Sequence, residues 1–302
     1  MTSEPFKPQL LQLVQSENDW SIVSAALPAS LLEALGQGIA TSAVLSRDSV
    51  DYSLFYVAAS KKLLMFSHDP QALLTPVAAV SVPEALDYLD VFYLGGAPYI
   101  ATYAKASSYL NLYRLNVDNS LTPVHNQYVG SGFTMMHVLP YRDTTCVVLY
   151  NGTTGDCVKY QLAVPPYDGL SLTQVWSDIW AKTWGHFTFF EFGGENFFLK
   201  INQQHEKVNI DHFMDDPDEG SHPVLSKDAD NSLLSSSVLA GFQGPEGQAY
   251  FLNYQYNGSL SLNSIYPNCL GWWPLASQTV STGGTVLHPF TTAAANYLLI
   301  LN

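Results

Sequence analysis

The stretch WAKTWGHFTFFEFGGENFFLKINQQHEKVNIDHF (residues 180–213) decides how this chain is read. HFTFFEF is a short apolar strand dense in aromatics. Gly193-Gly194 makes a turn, because glycine takes the positive φ that a tight turn needs. NFFLKIN is a second strand, QQHE a hairpin tip, KVNIDHF a third strand, and HPVL (222–225) a fourth. Runs of aromatic and β-branched residues broken by Gly, Asn, Asp and Pro predict an all-β unit. The first strand alternates poorly between apolar and polar residues, as expected when both faces are covered.

The unit recurs. FYLGGAPY (92–99) matches FEFGGENF (190–197) at a distance of 98 residues, and Tyr141 lies halfway between their leading phenylalanines. Phe242 and Phe290 continue the series, so the anchors 92, 141, 190, 242 and 290 are spaced 49, 49, 52 and 48. A weaker member, SRDSVDYSLFYV, puts Asp48 in the anchor place, 44 residues before Phe92. Its strands read YSLFYVAAS, KKLLMFSH and LLTPVAAV. Six copies of a four-stranded unit predict a six-bladed β-propeller. The 12 residues after Phe290 and the 48 up to Asp48 together make one further period plus a tail over residues 1–7. The chain is therefore expected to be one domain over 1–302. Strands near 284–290 and 296–302 would be completed by N-terminal strands 9–15 and 21–25, which leaves no free sheet edge. The blade near 234–270 has no evident fourth strand.

Short segments join each fourth strand to the next blade. Residues 28–33 contain a Ser30-x-x-Glu33 capping box, with Gly36 as a stop. Residues 83–86 and 177–182 occupy the same place later and read as short helical or turn segments covering one face. The hairpin tips 105–108, 152–155, 203–206 and 256–259 are expected on that same face.

WAKTWGHFTFFEFGGENFFL resembles the repeats of bacterial and fungal lectin-like propellers, closely in this blade and weakly over most of the chain. The resemblance implies the propeller and leaves the function open, since propellers include lectins, hydrolases, lyases, cyclases and scaffolds.

Composition narrows the function. The chain has 302 residues, 47% hydrophobic and 13% charged, with 12 basic against 26 acidic residues for a net charge of −14. Such a chain collapses rather than staying disordered. Its sign repels phosphate backbones and anionic headgroups, so neither nucleic acid nor membrane is expected as a partner. No apolar run approaches the roughly 20 residues that span a bilayer. No basic, apolar leader is visible, so a cytoplasmic location is expected, with secretion open if a leader has been removed. A monomer or dimer is expected. Three cysteines are too few for a disulfide scaffold. Cys146 and Cys157 flank Asn151-Gly152 symmetrically; a two-residue hairpin there would set them face to face, as a disulfide or as two packed thiols.

His-Glu-x-x-His, Cys-x-x-Cys, Gly-x-Ser-x-Gly, phosphate-loop and dinucleotide signatures are all missing, so no metal and no cofactor is expected. Asp211, Asp215, Asp216, Asp218 and Glu219 could hold Ca²⁺ but lack the spacing of a calcium loop, and read better as a solvated turn between strands three and four.

In a propeller the innermost strands surround a channel. Four residues before each anchor stand Val44, Tyr88, His137, His186, Val238 and Val286; two before stand Ser46, Asp90, Leu139, Thr188, Ala240 and His288. Polar groups on inner strands need partners or an aqueous channel. One reading is a pocket in which His137, His186 or His288 does acid–base work beside Asp90 or Tyr88, with Thr188 among the binding residues. The other is that each is satisfied by backbone or water. Arg47 could bind a carboxylate or enolate oxygen, or pair with Asp48 or Asp51. Trp180, Trp184, Trp272 and Trp273 lie in connections between blades, where they could stack on a sugar or aromatic substrate or pack between blades.

Three functions follow. A lectin would repeat its binding residues in every blade, since avidity comes from copies; here the anchors repeat and the polar residues do not. A single central pocket for a small organic molecule or sugar suits that divergence. It could carry a cofactor-free cyclisation, isomerisation, elimination or hydrolysis. The third is a protein-interaction scaffold using an acidic, aromatic-rich rim.

Overall fold

The computed structural model describes all residues except 1–5, 17–18, 70–72, 142, 165–168, 245–246 and 294. Twenty-four strands, numbered in chain order, form six four-stranded antiparallel sheets. The protein is a six-bladed β-propeller. The inner strands are β3 (Ile39–Arg47), β7 (Tyr88–Leu94), β11 (Met135–Pro140), β15 (Gly185–Phe192), β19 (Ser236–Gln243) and β23 (Val286–Thr291). Blades 1 to 6 are numbered by these strands in turn.

Blade 6 closes the ring as expected. Its sheet runs β2-β1-β24-β23, with β1 (Gln9–Gln15) paired to both β2 (Trp20–Ala25) and β24 (Asn296–Leu301). Shared pairing of the two chain ends removes the edges that an open ring would expose. Of the tail expected over 1–7, residues 1–5 lie outside the described residues. The missing fourth strand of blade 5 is β22 (Trp272–Thr279). Trp272 and Trp273 therefore begin an outer strand rather than lying in a connection. Among the described residues no helix is long and apolar enough to cross a membrane.

Apolar clusters fill the spaces between blades. Within them runs a repeat that the anchors do not show. Tyr56, Tyr103, Tyr150 and Tyr254 occupy one position on the second strands of four blades and are fully buried. Each hydroxyl donates to a carbonyl in the connection to the following blade: Glu84 at 3.4 Å, Gly130 at 3.0 Å, Ala181 at 2.7 Å and Ser281 at 2.8 Å. A buried Tyr hydroxyl needs a partner, and these connections rim one mouth of the channel. The hairpin tips share that mouth: the carbonyls of Lys61, Ser108, Gly155, Glu206 and Gly258, in the second-to-third-strand turns, accept from the residues that end or follow the outer strands.

These tyrosines also correct the repeat alignment. They pair with Thr41, Tyr88, Met135 and Val238 on the inner strands. Those four are equivalent, so the Asp48 and Tyr141 anchors sit three and two residues out of phase. The reason is that both anchors lie past the ends of their inner strands. The first hairpin of blade 1 closes at Asp48-Ser49, both at positive φ, as that of blade 2 closes at Gly95-Gly96, so Leu45 is the counterpart of Phe92; in blade 3 the ladder ends at the Pro140–Thr145 pair, and Leu139 is the counterpart.

Three local expectations change. The helix α1 (Ala29–Leu35) starts before Ser30, with Pro28 as its cap and no side-chain cap bond, so the capping box is not formed. Residues 177–179 finish β14 (Ser171–Ile179) instead of starting a helical segment, while an unforeseen short helix, α2 (Asn231–Leu234), is capped by Asp230. Cys146 pairs with Gln161 and Cys157 with Tyr150, because the hairpin turn spans 151–155 rather than two residues; both thiols are free and buried.

Candidate active site

At the mouth rimmed by the tyrosine-held connections, residues from all six inner strands line a cavity of about 460 Å³. Its two halves differ. Strands β3, β19 and β23 contribute mostly aliphatic wall, including Ala40, Ala43, Val238, Leu239 and Leu287. Strands β7, β11 and β15 contribute Tyr88, Asp90, His137, His186 and Phe189.

His137 and Asp90 meet because the corrected alignment puts them at the same level of neighbouring inner strands. His137 Nδ1 lies 2.8 Å from Asp90 Oδ2. The backbone N–H of Val138 donates to the same oxygen at 2.8 Å, and that of Val91 to Oδ1 at 2.8 Å. A carboxylate with three donors is held in place. A carboxylate only accepts, so the nitrogen facing Asp90, Nδ1, carries a proton; in a neutral ring Nε2 is then the bare one. Nε2 makes no hydrogen bond among the described residues. The imidazole is further fixed by stacking on Phe189, centroid to centroid 3.7 Å at 15°.

Tyr88 stacks on Tyr103, with the Lys105 ammonium 5.0 Å from its ring centroid. Burial and the nearby Asp87 carboxylate push its hydroxyl above the ordinary phenol range. His186 lines the cavity; burial holds it below the ordinary imidazole range, with the Gln203 side chain and the Ser237 backbone partly offsetting that effect. Its φ of 49° is unusual for a residue with a side chain.

The remaining sequence candidates lie elsewhere. Thr188 is buried against blade 5, where β15 and β19 run so close that a Cβ on Gly241 would stand 2.6 Å from Thr188 Oγ1. Arg47 is at the far mouth, donating to the Asn116 carbonyl at 2.9 Å and to Asn119 Oδ1 at 2.6 Å, with Asp48 at 4.0 Å. It staples blade 1 to blade 2. Trp180 and Trp184 enclose the Lys200 ammonium, at 4.3 and 4.7 Å from their centroids. Lys200 is also 2.7 Å from Asp211, so the first member of the acidic run is a buried ion-pair partner rather than part of a solvated turn. Trp272 lies under Lys227 and against Phe251. None of the three tryptophans lines the central cavity. His288 is 2% exposed between blades 6 and 1 and reaches the cavity only through Ser42.

At the far mouth, between blades 3 and 4, a cavity of about 550 Å³ is bordered by Asp143, Glu191, Glu195, Asp215 and Asp216. Glu195, His212 and Asp215 offer ligand atoms within 4.8 Å of one another. The two carboxylates are exposed and need no ion to be stable there.

No family model matches the sequence, and no curated protein does. Solved structures do match. A candidate 6-phosphogluconolactonase from Bacteroides uniformis is 16% identical with a TM-score of 0.55, over 98% of this chain and 88% of that one. An exo-β-1,3-galactanase from Phanerochaete chrysosporium, solved with β-1,3-galactotriose, is 11% identical with a TM-score of 0.56, over 96% of this chain and 70% of that one. A Lactobacillus plantarum protein is 11% identical with a TM-score of 0.54, over 94% of this chain and 86% of that one. At these identities the likeness is one of fold, the β-propeller.

Proposed function

We propose that the central cavity binds one uncharged, partly apolar small molecule and that His137, oriented by Asp90, performs cofactor-free acid–base chemistry on it, with hydrolysis of a lactone or ester as the reaction. The observation that carries this reading is the His137–Asp90 contact of 2.8 Å on a wall built from unlike blades. A histidine with its Nδ1 proton committed and its Nε2 bare is a general base ready for a water or hydroxyl proton.

The lining chemistry selects among substrates. Among the described residues no Lys or Arg lines the cavity, while Asp87 and Asp90 do. A phosphorylated sugar lactone, as the name of the Bacteroides neighbour implies for that protein, would set its phosphate against carboxylates with no cation to receive it. Lys105, the cation in contact with Tyr88, is shared with Asp87 at 3.9 Å. Glycoside cleavage generally needs two working carboxylates. Asp90 is saturated by its three donors, and Asp87 accepts from the Lys105 backbone at 2.7 Å. Neutral carbonyl substrates fit better than glycosides, and the aliphatic half of the cavity suits an apolar portion.

A panel of neutral lactones, aryl esters and aryl glycosides incubated with the protein tests this. Hydrolysis within the first two classes is expected, and His137→Asn should lower kcat/KM by about 10²–10⁴. Unchanged turnover in His137→Asn, or turnover confined to glycosides, would overturn the reading.

A further inference from the structure

Between blades 6 and 1 four side chains form one unbroken hydrogen-bond chain. His68 Nδ1 lies 2.8 Å from the Thr291 carbonyl, and His68 Nε2 lies 2.9 Å from Ser53 Oγ. Ser53 Oγ is 2.7 Å from His288 Nε2, and His288 Nδ1 is 3.0 Å from Ser42 Oγ. Ser53 is fully buried and His288 nearly so. The two ends open differently. Ser42 lines the central cavity, and His68 lines a second cavity of about 500 Å³ beside Ser46, Asp51 and Phe290.

One carbonyl sets every proton in this chain. The Thr291 oxygen can only accept, so His68 carries its proton on Nδ1 and its neutral ring has a bare Nε2. Ser53 must then donate to His68. Having spent its single proton there, Ser53 must accept from His288, which places the His288 proton on Nε2. His288 Nδ1 is bare and accepts from Ser42. The opposite polarity would set lone pairs against each other at 2.9 Å or 2.7 Å, distances that leave no room for a water between them.

We infer that Ser42 is a nucleophile of the central cavity, activated by a proton relay through His288 and Ser53 to His68. This rests on the cavity reading above and supplies it with a second reacting group, on blade 1 where His137 is on blade 3. Attack of Ser42 Oγ on an ester carbonyl forms the Oγ–C bond. The serine proton passes to His288 Nδ1, the His288 Nε2 proton to Ser53, and the Ser53 proton to His68 Nε2. His68 becomes imidazolium; its burial, which lowers its pKa, opposes that form, and the Thr291 carbonyl and the Asp51 charge partly offset the opposition. Collapse of the adduct breaks the ester C–O bond, and the departing alkoxide takes a proton returned along the same path. Water then hydrolyses the acyl-serine by the same steps. His288 passes a proton in at one nitrogen and out at the other without becoming a cation. Its burial, which holds the imidazole down to about 3, is compatible with that role and incompatible with an ordinary base. His288 and Ser53 are positioning residues, and Ser42 is the catalytic one.

The test uses the full chain with an alkyl fluorophosphonate as probe, together with ¹⁵N-edited NMR of the histidine rings. Expected are a single phosphonyl adduct mapped to Ser42, its loss in Ser42→Ala, and a labelling rate at least tenfold lower in Ser53→Ala. His68→Gln, at the partly exposed end, should slow labelling likewise and serves if Ser53→Ala does not fold. The NMR should show His288 protonated on Nε2 and His68 on Nδ1. No adduct on Ser42, an unchanged rate in both relay variants, or a His288 proton on Nδ1 overturns the relay. Ester turnover that survives Ser42→Ala but not His137→Asn would remove the relay and leave the cavity reading intact.

Discussion

The seam between blades 3 and 4 and the seam between blades 6 and 1 both bury basic nitrogen, by opposite means. In the first, Lys200 and Asp211, each about 5% exposed, face each other at 2.7 Å, with tryptophan rings closing over the ammonium. In the second, His68 and His288 are linked through Ser53, and burial drives both imidazoles towards the neutral form. A buried charge demands a counter-charge, since its desolvation costs several kcal/mol. A neutral imidazole demands only one donor and one acceptor. The first arrangement is rigid and structural; the second can move protons.

The comparison can be broken at three points. Asp211→Ala should have the largest effect, because it leaves Lys200 buried without its partner; a loss of about 3–5 kcal/mol in chemical denaturation is expected. A loss under 1 kcal/mol would mean the ammonium finds water.

Acid should weaken the histidine seam next. His288 is held at about 3 when folded against 6.5 when unfolded. The unfolded chain therefore binds the extra proton first, and stability is complete above pH 6.5 and falls as pH drops below it. His288 alone accounts for about 2 kcal/mol by pH 5. Denaturation curves for the wild type and His288→Gln should diverge in slope between pH 6.5 and 5; parallel slopes would contradict a buried neutral histidine.

The smallest effect belongs to Lys159. It is fully buried, 2.8 Å from the Tyr141 hydroxyl and bonded to the Glu219 carbonyl; among the described residues no carboxylate pairs directly with its ammonium, and the Asp218 and Glu219 charges act on it from farther off. Burial lowers its pKa. Lys159→Met keeps the packing and removes the desolvated charge, so stability should change by less than about 1 kcal/mol. A loss near that of Asp211→Ala would show that this charge too is held by a partner.

Much of the architecture was legible along the chain. Aromatic anchors near 49-residue spacing, the four-strand unit and the closure by N-terminal strands all follow from local pattern, because each blade repeats one packing problem. His137, Asp90, Tyr88 and His186 were visible as polar residues on inner strands, and they line the cavity. Their phase was not visible. The Asp48 and Tyr141 anchors fall past the ends of the inner strands of blades 1 and 3, and only the pairing of the buried tyrosines shows by how much. The tryptophans and Arg47 were visible as ligand-binding residue types, and in the structure they serve neighbouring blades.

Composition and repeat length are thus sufficient for a closed, acidic, all-β ring with dissimilar polar residues at its hub, because burial and edge pairing admit few other solutions for such a sequence. Which polar groups touch is another matter. Ser42 and His288 are 246 residues apart in sequence, and Ser53 and His68 join them only when the last blade closes against the first. Contacts of that kind depend on register, turn length and the direction of single hydrogen bonds, and these are set when the ring closes.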